Sequence, residues 1–77
     1  MNKKRKQKET LEVGDLVRVD VMEWNPNWAI NGAIGFIREI IPLQGEDREI
    51  IQYRLILTKE EGIYPAILYR FELEWLA

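Results

Sequence analysis

The sequence LVRVDV at residues 16–21 alternates apolar and polar side chains with a period of two. This period is typical of a β-strand with one buried face. The three valines would point into a core, while Arg18 and Asp20 would point to solvent. A Gly14-Asp15 turn precedes the stretch, so we predict that the first strand of the fold begins here.

Further strands are predicted at residues 32–41, 49–58 and 63–68, separated by polar turns that contain Gly, Asn, Pro or acidic residues. We expect Val19 of the first strand and Leu55 of the third to point into the core. Two glycines, Gly32 and Gly35, would permit a tight bend and a close approach of two backbones. Pro65 interrupts the last of these strands, which indicates an edge position or a bulge.

The C-terminal sequence YRFELEWL at residues 69–76 allows two interpretations. Its apolar residues alternate with Arg and Glu, which favours a short closing strand after a single 3₁₀ turn. The alternative is a helix over residues 66–75. Several short strands at a spacing of roughly ten residues predict an all-β fold, either a small barrel or a sandwich.

Three motifs narrow this choice by resemblance: VGDLVRV at 13–19, GAIGFI at 32–37 and FELEWL at 71–76. Together they resemble the small SH3-like barrels, such as the PsaE-type subunit of photosystem I, the variable chain of ferredoxin-thioredoxin reductase, and short bacterial and phage proteins. The likeness covers residues 13–76. It implies an SH3-like barrel of about five short strands that attaches to larger assemblies. The acidic and aromatic motif with which SH3 domains bind proline-rich peptides does not appear in this sequence, so we do not expect binding to such peptides.

The chain contains no cysteine, no histidine and no serine. These absences exclude Ser-His and Cys-His nucleophiles as well as thiolate or imidazole metal sites. We therefore expect a protein that is not an enzyme and that needs no cofactor or metal. The lack of cysteine fits a reducing compartment, so we expect a cytoplasmic location. No apolar run approaches the roughly 20 residues of a membrane span, and we expect no membrane contact.

The charges divide the chain into two parts. Residues 1–10 are predicted to form a disordered basic arm, and residues 11–77 the barrel. The arm carries five positive charges, whereas residues 9–77 hold six basic and thirteen acidic side chains, a net charge of −7. A nucleic-acid-associated module is therefore one alternative function, because clustered positive charges neutralise phosphates. The plainer interpretation is a solubilising tail. The arm's basic residues are Lys3, Lys4, Arg5, Lys6 and Lys8.

A loop over residues 22–31, which we call the tryptophan loop, is the leading candidate for a binding site. Its predicted contact residues are Trp24, Asn25, Asn27 and Trp28. Trp24 and Trp28 flank the turn sequence Asn25-Pro26-Asn27, where loops more often carry Gly or Ser. Tryptophan is enriched among the residues that contribute most of the binding energy at protein interfaces. The competing hypothesis is that the tryptophans fold back and plug the open end of the barrel.

Adjacent aliphatic residues add a second candidate surface. In a strand, neighbouring side chains point to opposite faces, so Ile50-Ile51 and Ile67-Leu68 cannot all lie inside one small core. We expect Ile50 and Ile67 on an outer apolar patch, unless bulges intervene. The function that follows is docking on another protein or complex through the tryptophan loop and this patch.

The acidic residues of the body allow a third hypothesis. A phage-type inhibitor could place such a surface in a basic groove of a host or defence protein. The candidates are the pairs Glu46-Asp47, Glu60-Glu61 and Glu72-Glu74. More often, such residues form only a solvated surface.

Overall fold

The computed structural model describes residues 7–44, 49–60 and 62–77, without the side chains of residues 43, 44, 49 and 50. Within these residues, five strands form one antiparallel sheet in the order β4-β3-β2-β1-β5. The elements are β1 (Leu16–Val19), the 3₁₀ turn η1 (Trp28–Ile30), β2 (Ile34–Gln44), β3 (Glu49–Lys59), β4 (Gly62–Tyr69), the 3₁₀ turn η2 (Arg70–Glu72) and β5 (Leu73–Trp75). The predicted all-β class is confirmed.

The core lies on the inner face of this sheet. Val19 and Leu55, which the strand patterns place inside, are both fully buried. The β1 strand ends at Val19, earlier than predicted. Val21 is nevertheless buried, and its backbone N–H donates to the side-chain oxygen of Asn31 at 2.8 Å. The buried apolar residues are Leu11, Val17, Val19, Val21, Ala33, Ile37, Tyr53, Leu55, Leu57, Leu68 and Leu73.

Glycine permits the close packing of β2 and β3. A Cβ atom at Gly35 would overlap the backbone carbonyl of Ile56, so no larger residue fits there without a shift of the strand. Gly32 adopts a φ of +90°, in the region that favours glycine, at the bend before β2. The roles predicted for the two glycines are therefore confirmed.

The C-terminal segment forms a 3₁₀ turn and a short strand, so the alternative of a helix over residues 66–75 is wrong. The predicted alternation also fails within the turn. Phe71 is 73% exposed and Glu72 is only 4% exposed, the reverse of the expected pattern. The reason is that a 3₁₀ turn rotates successive side chains by about 120° instead of 180°.

The two edge strands of the described sheet are protected in different ways. Pro65 lies in β4, an edge strand, as its sequence position predicts; proline lacks the backbone N–H that an added strand would need. On β5, the Leu73 backbone N–H donates to the Arg70 carbonyl, and the Leu73 carbonyl accepts from Arg70 Nη1. The side chain of Gln7 pairs with the backbone of Trp75. The Trp75 N–H donates to Gln7 Oε1 at 2.7 Å, and the Trp75 carbonyl accepts from Gln7 Nε2 at 3.2 Å.

These contacts bear on the arm predicted over residues 1–10. Gln7 pairs with β5, and the backbone carbonyl of Lys8 accepts hydrogen bonds from Arg70. The folded unit therefore includes Gln7 and Lys8, because both are tied to the C-terminal elements. Residues 1–6 lie outside the described part of the chain, and their predicted disorder stays a prediction.

Candidate protein interface

The tryptophan loop connects β1 to β2 and is held in shape by hydrogen bonds between its own backbone groups. The N–H of Asn25 donates to the carbonyl of Met22 at 2.9 Å, and the N–H of Trp28 donates to the carbonyl of Asn25 at 2.9 Å. At the base of the loop, the N–H of Gly32 donates to the carbonyl of Val19, also at 2.9 Å. The loop is thus a defined structure that starts and ends at the sheet.

The carboxylate of Glu72 fixes the loop to the C-terminal turn. Its Oε2 accepts hydrogen bonds from the side-chain amides of Asn25 and Asn27, at 3.0 and 2.9 Å. Its Oε1 accepts one from the backbone N–H of Tyr69 at 2.9 Å. The side-chain oxygen of Asn25 in turn accepts from the backbone N–H of Asn27 at 2.7 Å. A buried carboxylate requires such partners, so sequence-distant segments are joined at one point.

Both tryptophans of the loop are exposed. Trp24 is 76% exposed and Trp28 is 43% exposed, so neither is enclosed in the core. The asparagines between them differ: Asn25 is buried and Asn27 is half-buried. Asn25 was predicted as a contact residue, but its side chain points inward and serves to position the loop.

Phe71 adds another exposed aromatic ring next to the anchoring carboxylate. It stacks on Tyr69, with ring centroids 5.5 Å apart and planes within 9° of parallel. The exposure of Phe71 was not predicted, because the alternating pattern of residues 69–76 placed its side chain in the core. A 3₁₀ turn was predicted at this position, and its rotation of about 120° per residue could have predicted that Phe71 is exposed.

A second exposed surface, which we call the outer apolar face, crosses β2, β3 and β4. Strand register brings Phe36 opposite Ile56, and Ile56 opposite Pro65. Its members are Ile34, Phe36, Ile56, Ile63, Pro65 and Ile67. Ile67 is exposed as predicted, whereas its neighbour Leu68 is buried. The side chain of Ile50, the other predicted member, lies outside the described residues.

Two ion pairs lie beside the outer apolar face. Arg18 of β1 pairs with Glu74 of β5 at 3.0 Å, and Arg54 of β3 pairs with Glu39 of β2 at 2.9 Å. Between β3 and β4 the surface forms an open depression of about 540 Å³. Its lining residues are Arg54, Ile56, Pro65, Ala66 and Ile67. The face is therefore apolar at its centre, and each of these pairs carries no net charge.

Of the basic residues proposed for nucleic-acid binding, Lys8 is the one that the structure describes. Its ammonium pairs with Asp15 at 2.8 Å and with Glu12 at 3.3 Å, and it lies 5.4 Å from the centre of the Trp75 ring. The hydrogen bond to Asp15 raises the pKa of Lys8. A lysine held by two carboxylates is a poor phosphate ligand. The other candidates, Lys3, Lys4, Arg5 and Lys6, lie outside the described residues.

The proposed acidic surface is changed by the burial of one member. Glu72 is 4% exposed and accepts hydrogen bonds from Asn25, Asn27 and the Tyr69 backbone, so it is not part of an exposed acidic surface. Glu74 is half-buried and paired with Arg18. Glu60 is exposed, whereas Glu46, Asp47 and Glu61 lie outside the described residues.

Among residues 7–44, 49–60 and 62–77, no cluster of three or more Asp, Glu, His or Cys side chains could hold a metal ion. The same described segments contain no helix with the length and apolar character needed to cross a bilayer. No family model, curated protein or solved structure matches the chain.

Proposed function

We propose that this chain is a cytoplasmic, non-enzymatic binding module of the SH3-like barrel type. It docks on another protein or complex through the tryptophan loop and the outer apolar face. The strand order β4-β3-β2-β1-β5, with a 3₁₀ turn before β5, is consistent with such a barrel. The barrel type alone names no ligand, so the binding proposal rests on the loop.

The observation that carries the proposal is the exposure of Trp24 and Trp28 on a loop that Glu72 holds in place. Exposed indole rings are costly to leave in water, and they supply large contact areas at interfaces. Binding is weakened when a loop must first be ordered. A loop already fixed to η2 avoids part of that cost, so its tryptophans are suited to act as anchors.

The test is a set of pull-downs with the full chain and three loop variants, each first checked by thermal melting. Trp24→Ala should melt within about 2 °C of the parent, because Trp24 is 76% exposed and loses little buried surface. Trp28→Ala should melt lower but stay folded, because Trp28 is more than half buried. Both variants should weaken capture of a protein partner at least about tenfold, the effect of losing an interface anchor of about 2 kcal/mol. The matched control is Met22→Ala, since Met22 is 64% exposed on the same loop.

The bound material should be analysed for both protein and nucleic acid. Capture that is lost with either tryptophan and kept with Met22→Ala supports the proposal. Capture of the same proteins at full strength by both tryptophan variants contradicts it. Salt-sensitive recovery of nucleic acid that disappears when residues 1–6 are removed favours the basic arm instead.

A further inference from the structure

We infer that the outer apolar face binds a second copy of this chain, forming a dimer with two-fold symmetry. This inference rests on the part of the proposed function that assigns a protein partner to that face, and it names the partner. It leaves the tryptophan loop of each copy available for a different protein.

The shape of the face suits contact with its own image. Phe36 is 54% exposed, and on the same row of the sheet Ile56 and Pro65 line the depression between β3 and β4. A two-fold axis places one surface against the same surface of the other copy. The projecting ring of each copy can therefore enter the depression of the other, which fills both depressions at once.

The charges of the face also favour a second copy. The full chain carries a net charge of only −2, so the overall electrostatic repulsion between two copies is small. At the outer apolar face, Arg18–Glu74 and Arg54–Glu39 each contain one acid and one base. In a two-fold arrangement, each side of the face offers both signs to the opposite copy, and no net charge has to be buried.

Within the described residues, both sheet edges carry features that disfavour the addition of a strand from a second copy. Pro65 interrupts the edge of β4, and the outward backbone groups of Leu73 and Trp75 are paired by Arg70 and Gln7. Contact between copies should therefore involve the sheet face and not an added strand.

The usual size of an exposed apolar patch predicts a weak dimer. An exposed apolar patch on a protein of this kind is commonly about 300–600 Å², below the roughly 800 Å² per partner of a standard interface. The dimer should consequently be weak and should form as the concentration rises.

The test is sedimentation equilibrium of the full chain from about 5 μM to about 500 μM, a range that brackets a weak dissociation constant. The mean mass should rise from 9.2 kDa toward twice that value. Ile63→Glu should abolish the rise, because Ile63 is 70% exposed on the face. Val13→Glu should behave as the parent, because Val13 is 62% exposed and precedes β1, away from the face.

Amide chemical shifts of the unchanged chain give a second readout that does not depend on any variant folding. On dilution, the shifts should change at residues 34–37, 54–58 and 63–67. A mass of 9.2 kDa at every concentration overturns the inference, as does self-association that survives both Ile63→Glu and Phe36→Glu. Trp24→Ala separates the two proposals, since it should dimerise normally and lose only the loop partner.

Discussion

The side-chain amide of Asn25 donates a hydrogen bond of 3.0 Å to the carboxylate of Glu72, 47 positions further along the chain. Both side chains are buried. Because Glu72 also accepts from Asn27 and from the Tyr69 backbone, one carboxylate determines where the tryptophan loop lies relative to η2. The position of the proposed binding site is therefore set by a buried residue of η2.

Glu72→Ala should lower the free energy of unfolding by about 2–4 kcal/mol, because it leaves buried donors without an acceptor. Urea denaturation measures this loss. The matched control is Glu74→Ala, which removes a partly exposed ion pair and should cost less than about 1 kcal/mol. Equal effects of the two substitutions would contradict the anchoring role of Glu72.

Gly35→Ala should destabilise the sheet by at least about 1–3 kcal/mol, because the added methyl group overlaps the Ile56 carbonyl. Gly32→Ala is the control: its site has open space, and only the positive φ opposes alanine, at about 1–2 kcal/mol. Thermal melts of both variants give the comparison. A Gly35→Ala protein as stable as the parent would show that β2 and β3 do not approach as closely as described.

Gln7→Ala should accelerate hydrogen exchange at the Trp75 amide, because the donor then loses its side-chain acceptor. The loss of stability should stay below about 1 kcal/mol, since both hydrogen bonds are exposed. Removal of residues 1–6 serves as the control and should leave the thermal midpoint unchanged within about 2 °C. Unchanged exchange at Trp75 in Gln7→Ala would refute the pairing with β5.

The Lys8–Asp15 pair predicts a specific dependence on pH. Burial raises the pKa of Asp15, but hydrogen bonds from Lys8 and from the Glu12 backbone outweigh burial and hold that pKa below its usual value. A carboxylate with a lowered pKa stabilises the fold above its unfolded pKa, near 3.9, and this contribution disappears as the pH falls through the folded pKa. Asp15→Asn should thus melt below the parent at pH 7, and the two midpoints should converge in acid.

The control for this pair is Glu12→Gln, at a more exposed carboxylate that also contacts Lys8. It should change the midpoint less than Asp15→Asn at pH 7. A difference between Asp15→Asn and the parent that stays constant from pH 7 to strongly acidic pH would rule out the ion pair as its cause.

The strands were predictable because the period-two pattern is strong where one face is buried, as at Val17 and Val19. The edge position of β4 followed from Pro65, whose missing N–H excludes it from a central strand. The inward turn of Glu72 was not predictable, since its partners Asn25 and Asn27 come from a loop whose path is set by tertiary contacts. For the same reason, the loop sequence did not predict whether Trp24 and Trp28 are exposed or cover the open end of the barrel.

The central claim is that the fixed loop presents tryptophan to a protein partner. The most direct test compares the amount of partner that is captured by the folded Trp24→Ala and Met22→Ala variants. Both variants are immobilised at the same concentration. The prediction is a loss of about tenfold or more for Trp24→Ala and little change for Met22→Ala. Equal capture by the two variants, with Trp28→Ala also binding at full strength, would contradict the claim.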